Sequence, residues 1–382
     1  MSRMCVDVED MIKELKALIE IPSIVGEEGE LAKYLAEVLK NYGFTPELHR
    51  VEGDRYNVIC RVRGDRPGRT LLLNGHLDTV PVASGWRTNP FKPKIEGDRL
   101  YGLGACDMKS GLVALLFGLK AFVDTFEDFA GEVIYSAVVD EEGFSKGAKA
   151  LIREINADAA IIGEPYFAIE RPAVIGATGK LLLEVKVVGK AAHAFRPWLG
   201  INAIEEASKI ISKIADLEPI IDSRFGKIKP AVLKIEGGYE RYNVTVPEEC
   251  VFQVNRLTLP EETEEKVISW IKGIIESVDL KSKVEVKIRP PLYKGYVVKK
   301  DDPIVLAFRR AFIEEMNVAP KLSYYANITD ANVITGEGGI PSIVFGPRGG
   351  NTHMANEYVE LKTVEKAAKI YALTIKEFLA LG

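Results

Sequence analysis

The sequence predicts an α/β chain: a layered domain interrupted by an inserted α+β domain. Three observations predict it. Up to about residue 175, helical and strand patterns alternate, and the strands are nearly continuous apolar runs. Such strands belong in a largely parallel sheet covered on both faces. After about residue 178 the rhythm changes to four strands with two helices among them, and from about residue 302 a helical pattern resumes. The expected bounds are 1–177 and 293–382 for the discontinuous domain and 178–292 for the insertion. A chain of 382 residues is long enough for two cores.

The elements follow in order. The N-terminal stretch reads as an amphipathic helix with Met11, Leu15, Leu18 and Ile19 on one side. A second helix covers roughly 28–42 and closes at Gly43. Strands follow at about 56–63 and 69–76, and a helix begins near Lys109, with Asp107 at its opening. Next come a strand at 131–140, a helix, and a buried strand at 158–165. In the insertion, "GKLLLEVKVVGK" alternates as a half-buried strand and a helix runs from Asn202 to about Ala215. Strands at 229–236 and 248–258 precede a helix at 261–277 opened by Pro260, and a strand near 290 closes the block. Two helices on a four-stranded antiparallel sheet account for this segment. The first domain is completed by the helix "DDPIVLAFRRAFIEEM", the strand "PSIVFGP" and a last helix from about Lys362.

Bulk properties exclude several classes. The net charge of −5 comes from 50 basic and 55 acidic residues that are interspersed, so no basic stripe for nucleic acid exists. No apolar run reaches the ~18 residues of a membrane span. The N-terminus lacks the apolar core of a signal peptide. Cys5, Cys60, Cys106 and Cys250 are scattered without CxxC spacing, which points away from a disulfide framework and toward a reducing cytoplasm. Cys106 reads as a buried filler and His49 as an exposed, idle residue. No G-x-S-x-G elbow for a serine hydrolase is present.

Polar residues collect at the C-terminal ends of the strands. "LLLNGHLDTVP" ends an apolar strand with His76 and Asp78, two positions apart and therefore on one face. "YGLGACDMKSG" carries Asp107; "VVDEEG" carries Asp140, Glu141 and Glu142; "GEP" carries Glu164; and "FGPRGGNTHMANE" carries His353. Carboxyl ends of strands in an α/β sheet face one crevice. Several carboxylates gathered there repel unless a cation neutralises them. Two imidazoles and three carboxylates suit two Zn²⁺ ions, one carboxylate bridging them roughly 3.5–4 Å apart. Asp78 sits where it can accept the second ring proton of His76 and fix its tautomer. One of the paired glutamates can bind metal while its neighbour acts as general base. Spacing does not say which.

"GHLDTVP", "YGLGACDMKSG", "DEEG", "GEP" and the late H-x-x-x-E together resemble, in this order, the motifs of the M20 metallopeptidase and deacylase family. That family includes acetylornithine deacetylase, succinyl-diaminopimelate desuccinylase, aminoacylase and glutamate carboxypeptidases. The resemblance implies a zinc-hydrolase catalytic domain with an inserted ferredoxin-like lid, through which two chains form a homodimer. It implies that His76, Asp107 and Glu164 hold one ion and Asp107, Glu142 and His353 the other, with Glu141 as general base. Zinc is the first choice, and cobalt or manganese fit the same donors. His193 in "KAAHAF" resembles the histidine that reaches into the partner's active site to stabilise an oxyanion. Asn243 and Arg256 resemble lid residues that grip a substrate carboxylate, and Gly346 a backbone contact to substrate. Ser110 stands where glycine is common, Ala194 where serine is usual, and Asn255 where an acidic residue is frequent. Glu164, rather than aspartate, leans toward the deacylase and carboxypeptidase branches. The implied activity is cleavage of the amide bond of a small N-acyl amino acid. The alternatives are a carboxypeptidase acting on short peptides and a non-catalytic, metal-dependent binding protein.

Overall fold

The computed structural model describes residues 4–165 and 173–380. The chain divides into two compact units: residues 1–176, 297–323 and 329–382 form the first, and residues 177–296 and 324–328 the second.

At the centre of the first unit, four strands run parallel in the order Ala130–Val138, Arg66–His76, Ala159–Ile162, Ser342–Val344. Their residues are buried almost without exception beyond Thr70, as an apolar run between two helical layers requires. The sheet is nevertheless mixed rather than largely parallel. Pro46–Glu52 and Arg55–Arg63 form an antiparallel hairpin, and Arg55–Arg63 pairs antiparallel with Ala130–Val138. On the other flank Ala173–Ala177 is antiparallel to Ser342–Val344. The reason for the hairpin is its short connection, Gly53 and Asp54: a two-residue loop can only reverse the chain.

The helix Ser110–Thr125 is buried on nearly every side and packs against the last helix, Leu361–Leu379. Its start differs from expectation. Asp107 does not open a helix; it is extended (φ −115°, ψ 95°) within a tight turn, and the regular helix begins three residues later. Helices Val8–Glu20 and Pro303–Met316 begin at Asp7 and Asp302, whose side chains accept N–H bonds from Asp10 and Ile304. A small antiparallel sheet, Lys94–Glu96, Arg99–Tyr101, Tyr358–Glu360 and Gly349–Gly350, has strands of two or three residues, too short for any periodicity to reveal.

In the second unit, four strands lie antiparallel in the order Ala231–Gly237, Glu249–Thr258, Gly179–Val188, Lys283–Tyr293. Helices Ala203–Ala215 and Glu264–Glu276 cover one face, burying Leu181, Leu183, Val185, Val187, Phe252 and Val254 against Ile210 and Ile271. The second helix starts at Thr263, whose hydroxyl caps Lys266 N; Pro260 lies in the preceding turn. Residues 324–328 also belong here, with Tyr324 edge-on to Phe225 at 5.7 Å. Among the described residues no helix is long and apolar enough to cross a membrane.

Candidate metal centre

Because the four central strands are parallel, their carboxyl ends open on one side of the sheet. Arg66–His76 ends in His76; Ala130–Val138 leads to Glu141 and Glu142; Ala159–Ile162 leads to Glu164; Ser342–Val344 leads to Gly346 and the loop bearing His353. The turn before Ser110–Thr125 adds Asp107. Side chains from distant parts of the chain meet there.

Asp107 occupies the middle. Its Oδ1 lies 3.3 Å from His76 Nε2 and its Oδ2 3.3 Å from His353 Nε2. His76 Nε2 is also 3.6 Å from Glu164, and His353 Nε2 is 2.8 Å from Glu142. Two groups, His76–Asp107–Glu142 and His76–Glu141–Glu164, each place one potential ligand atom per residue within 4.8 Å of one another. His353 joins them from the exposed rim, where its backbone is left-handed (φ 60°).

The role of Asp78 differs from the one expected. The partner of His76 Nδ1 is the main-chain oxygen of Asp78 at 2.9 Å, whereas the carboxylate is 3.7 Å away. A ring that donates from Nδ1 keeps Nε2 turned toward Asp107 and Glu164, the tautomer a ligand needs. The Asp78 carboxylate instead accepts the N–H groups of Glu141 (3.1 Å) and Glu142 (2.8 Å), which leave their strand at a turn. That turn is held from its other end as well. Asp140, with φ 72°, meets Arg55 at 2.7 Å, and Arg55 binds the buried Glu28 at 2.6 Å. Sequence spacing carries no trace of Arg55 or Glu28, which lie far from every motif.

The charges are unbalanced. Burial, reinforced by Glu164, pushes the Glu141 carboxyl well above the usual range; burial and then Asp107 do the same to Glu164. Burial works on Asp107 in that direction too, but hydrogen bonds from His353 and His76 outweigh it and hold this carboxyl low. His353 is raised to about 10 by its bonds to Asp107 and Glu142. Burial opposes charge on His76, yet Glu164 and Asp107 keep it well above its ordinary value. Four carboxyls thus share two imidazoles, a deficit of positive charge that divalent cations would fill. Oxygen and imidazole donors with no thiolate suit zinc, cobalt or manganese. Lys109, buried nearby in sequence, does not supply the charge: its ammonium donates to Leu18 O and Ile21 O, and burial lowers it to about 7.

Several expectations are revised. Gly346 sits where a Cβ would come within 2.4 Å of Gly163 O and 2.5 Å of Glu164 O, so glycine is needed there to pack against the strand end that carries Glu164. His49 is not idle; it lies between Glu47 and Glu154. Cys106 is buried, as a filler should be. In the second unit His193 and Asn243 lie on neighbouring segments: His193 bridges to Thr245, whose N–H binds Asn243 Oδ1 at 3.0 Å. The Phe195 N–H donates to His193 Nδ1 at 3.2 Å, leaving Nε2 to carry the ring proton.

Arg256 departs furthest from the exposed position expected of a lid residue that grips substrate. It is 2% exposed, paired with Glu262 at 2.7 Å, bonded to Leu257 O, and lies over the Trp270 ring at 5.3 Å. It shares the helix-covered face with Phe252 and Val254, since side chains two apart on a strand point alike. In this structure its guanidinium is held by Glu262 and Trp270 within the second unit. Glu357, which closes the H-x-x-x-E motif but had no role assigned from sequence, is treated below; the sequence reading missed Asp330, buried and raised to about 7 by burial, whose carboxylate accepts from Asn74 in the His76 strand at 3.4 Å.

A mixed α/β sheet whose parallel strand ends carry such a donor set defines a metal-dependent hydrolase. The chain belongs to peptidase family M20/M25/M40, whose profile matches residues 72–377. It is 28% identical over 380 residues to succinyl-diaminopimelate desuccinylase of Nautilia profundicola, covering 97% of this chain and 100% of that one. It is 31% identical over 374 residues to a candidate LysW-lysine/LysW-ornithine hydrolase of Pyrococcus furiosus, covering 97% and 98%. Its fold matches the crystal structure of aminopeptidase PepT from Bacillus cereus, with a TM-score of 0.82, 24% identity, and coverage of 98% and 99%.

Proposed function

We propose that the chain is a two-metal amidohydrolase that cleaves the amide bond of a small N-acyl amino acid. The observation carrying this reading is Asp107, which offers one oxygen toward each of two imidazoles. In this reading His76, Asp107 and Glu164 hold one ion and Asp107, Glu142 and His353 the other, zinc first and cobalt or manganese as substitutes. When bound, the ions supply Lewis-acid polarisation of the scissile carbonyl and acidify the attacking water.

The chain's own residues do the rest. Glu141, held by Asp78 through its N–H, takes a proton from the attacking water on a carboxylate oxygen and returns it to the leaving amine nitrogen. Asp78 keeps His76 in the right tautomer through its carbonyl and braces the glutamate turn through its carboxylate. His193 donates from Nε2 to the developing oxyanion across a homodimer formed by the second unit, with Asn243 contributing to substrate binding beside it and Gly346 from the main chain. Exposed Leu233 and Ile235 on the edge strand Ala231–Gly237 support that unit as the dimer surface. Four free cysteines support a cytoplasmic setting.

An acyl substrate is favoured because the named desuccinylase relative aligns end to end with this chain. The test is a panel of N-succinyl and N-acetyl amino acids and blocked dipeptides, run on chelator-treated protein before and after adding Zn²⁺ or Co²⁺. Release of the acid only after metal addition is the expected result. Preference for the dipeptides replaces the deacylase reading with a carboxypeptidase. Metal uptake without turnover of any compound replaces it with a binding protein.

A further inference from the structure

The last residue of the H-x-x-x-E motif, Glu357, has no part in the chemistry above, yet it is 1% exposed. Its Oε1 accepts the N–H groups of Cys106 (2.8 Å) and Asp107 (2.9 Å), and its Oε2 accepts that of Gly104 (2.9 Å). Its main-chain oxygen accepts Gly102 N at 3.1 Å. One residue therefore receives four amides of the turn that delivers Asp107.

That turn needs such a partner. Asp107 is extended and Gly104 left-handed (φ 74°), so the segment is not helical and its amides cannot all find carbonyls within it. Ala105 N and Lys109 N do bond within the turn, to Gly102 O and Gly104 O. The amides of Gly104, Cys106 and Asp107 go to Glu357. Buried N–H groups left unmet are destabilising, because each has given up its bond to water. Glu357 is itself fixed, because the adjoining strand Tyr358–Glu360 pairs with Arg99–Tyr101 and Arg99 lies over the Tyr358 ring at 4.3 Å.

We propose that Glu357 is a positioning residue that aims the Asp107 carboxylate at both metal positions; this rests on the two-metal reading above. A carboxylate suits the task in a way an amide does not. Two oxygens accept three N–H groups, whereas a glutamine would set its own NH₂ against an amide donor. Releasing the Asp107 amide lets the residue rotate, and both Oδ atoms leave their places between His76 and His353. The effect falls on metal affinity first, since a residue that orients a ligand typically governs affinity by about 10–100-fold.

The experiment compares wild type with Glu357→Gln by competition against a chromophoric chelator for Zn²⁺, and by the visible spectrum of the Co²⁺-loaded protein. Melting of the metal-free proteins is followed in parallel. The expected result is Zn²⁺ binding weakened about 10–100-fold, with an altered Co²⁺ spectrum and a metal-free melting temperature near that of wild type. Should Glu357→Gln not fold, Glu357→Asp, which keeps the charge but withdraws the oxygens, is measured in its place with the same expectation. Unchanged affinity and spectrum overturn the proposal, as does a loss confined to metal-free stability. Wild-type protein that binds no metal overturns this proposal and the two-metal reading together. Two ions in wild type with an indifferent variant overturn this one alone.

Discussion

The two units treat their polar residues in opposite ways. In the first, His76, Asp107, Glu142, Glu164 and His353 leave different elements and meet, because parallel strands all end on one side of a sheet. In the second, His193 and Asn243 lie on exposed neighbouring loops while Arg256 is buried under a helix. An antiparallel sheet offers no common end. Which face a side chain takes there depends on odd or even position along its strand. Polar groups gather where the topology gathers strand ends, and the arginine of an antiparallel strand is buried with a partner of its own.

That contrast can be broken by mutation. The largest effect is expected at Glu141. Glu141→Gln should lower kcat by about 10²–10⁴-fold, the usual worth of a general base, while metal content stays at the wild-type level. Activity within reach of wild type would remove Glu141 from the proton path.

Arg256 should respond in the other currency, stability. Arg256→Leu breaks a pair of which one member is buried and Glu262 is 22% exposed. The cost should therefore fall at the low end of the range for buried pairs, about 3 kcal/mol, seen as an earlier denaturant midpoint. KM should be unchanged. A raised KM with unchanged stability would return Arg256 to the substrate.

The smallest effect concerns Asp222, where hydrogen bonds from Arg224 hold the carboxyl down at about 2, below its ordinary 3.8. A depressed carboxyl contributes stability that is present above pH 3.8 and lost as pH falls through about 2. Asp222→Asn should cost under about 1 kcal/mol at pH 7, the pair being partly exposed. It should also flatten the fall in stability over that acidic window. A variant with an undiminished acidic slope would contradict the assignment.

Legibility in the sequence followed the same divide. The cluster of candidate ligands could be read because strand-end polar residues interrupt long apolar runs, and that contrast survives in one dimension. The four-strand, two-helix pattern of residues 178–292 was legible through clean alternation and through Asn202 at a helix start. The burial of Arg256 was legible too, since alternation with Phe252 and Val254 puts it on the covered face. The role of Glu357, the presence of Arg55 and the part played by the Asp78 carbonyl were beyond reach. These groups act through backbone amides and turns, and no spacing rule announces which amides a fold leaves without a partner.

The account stands on Asp107 lying between two cation positions. Metal analysis of protein saturated with Zn²⁺ and freed of excess ion tests this most directly, with Asp107→Ala beside the wild type. Two ions per wild-type chain and fewer than one in the variant are the predicted values. A wild type that holds fewer than two, or a variant that still holds two, would contradict it.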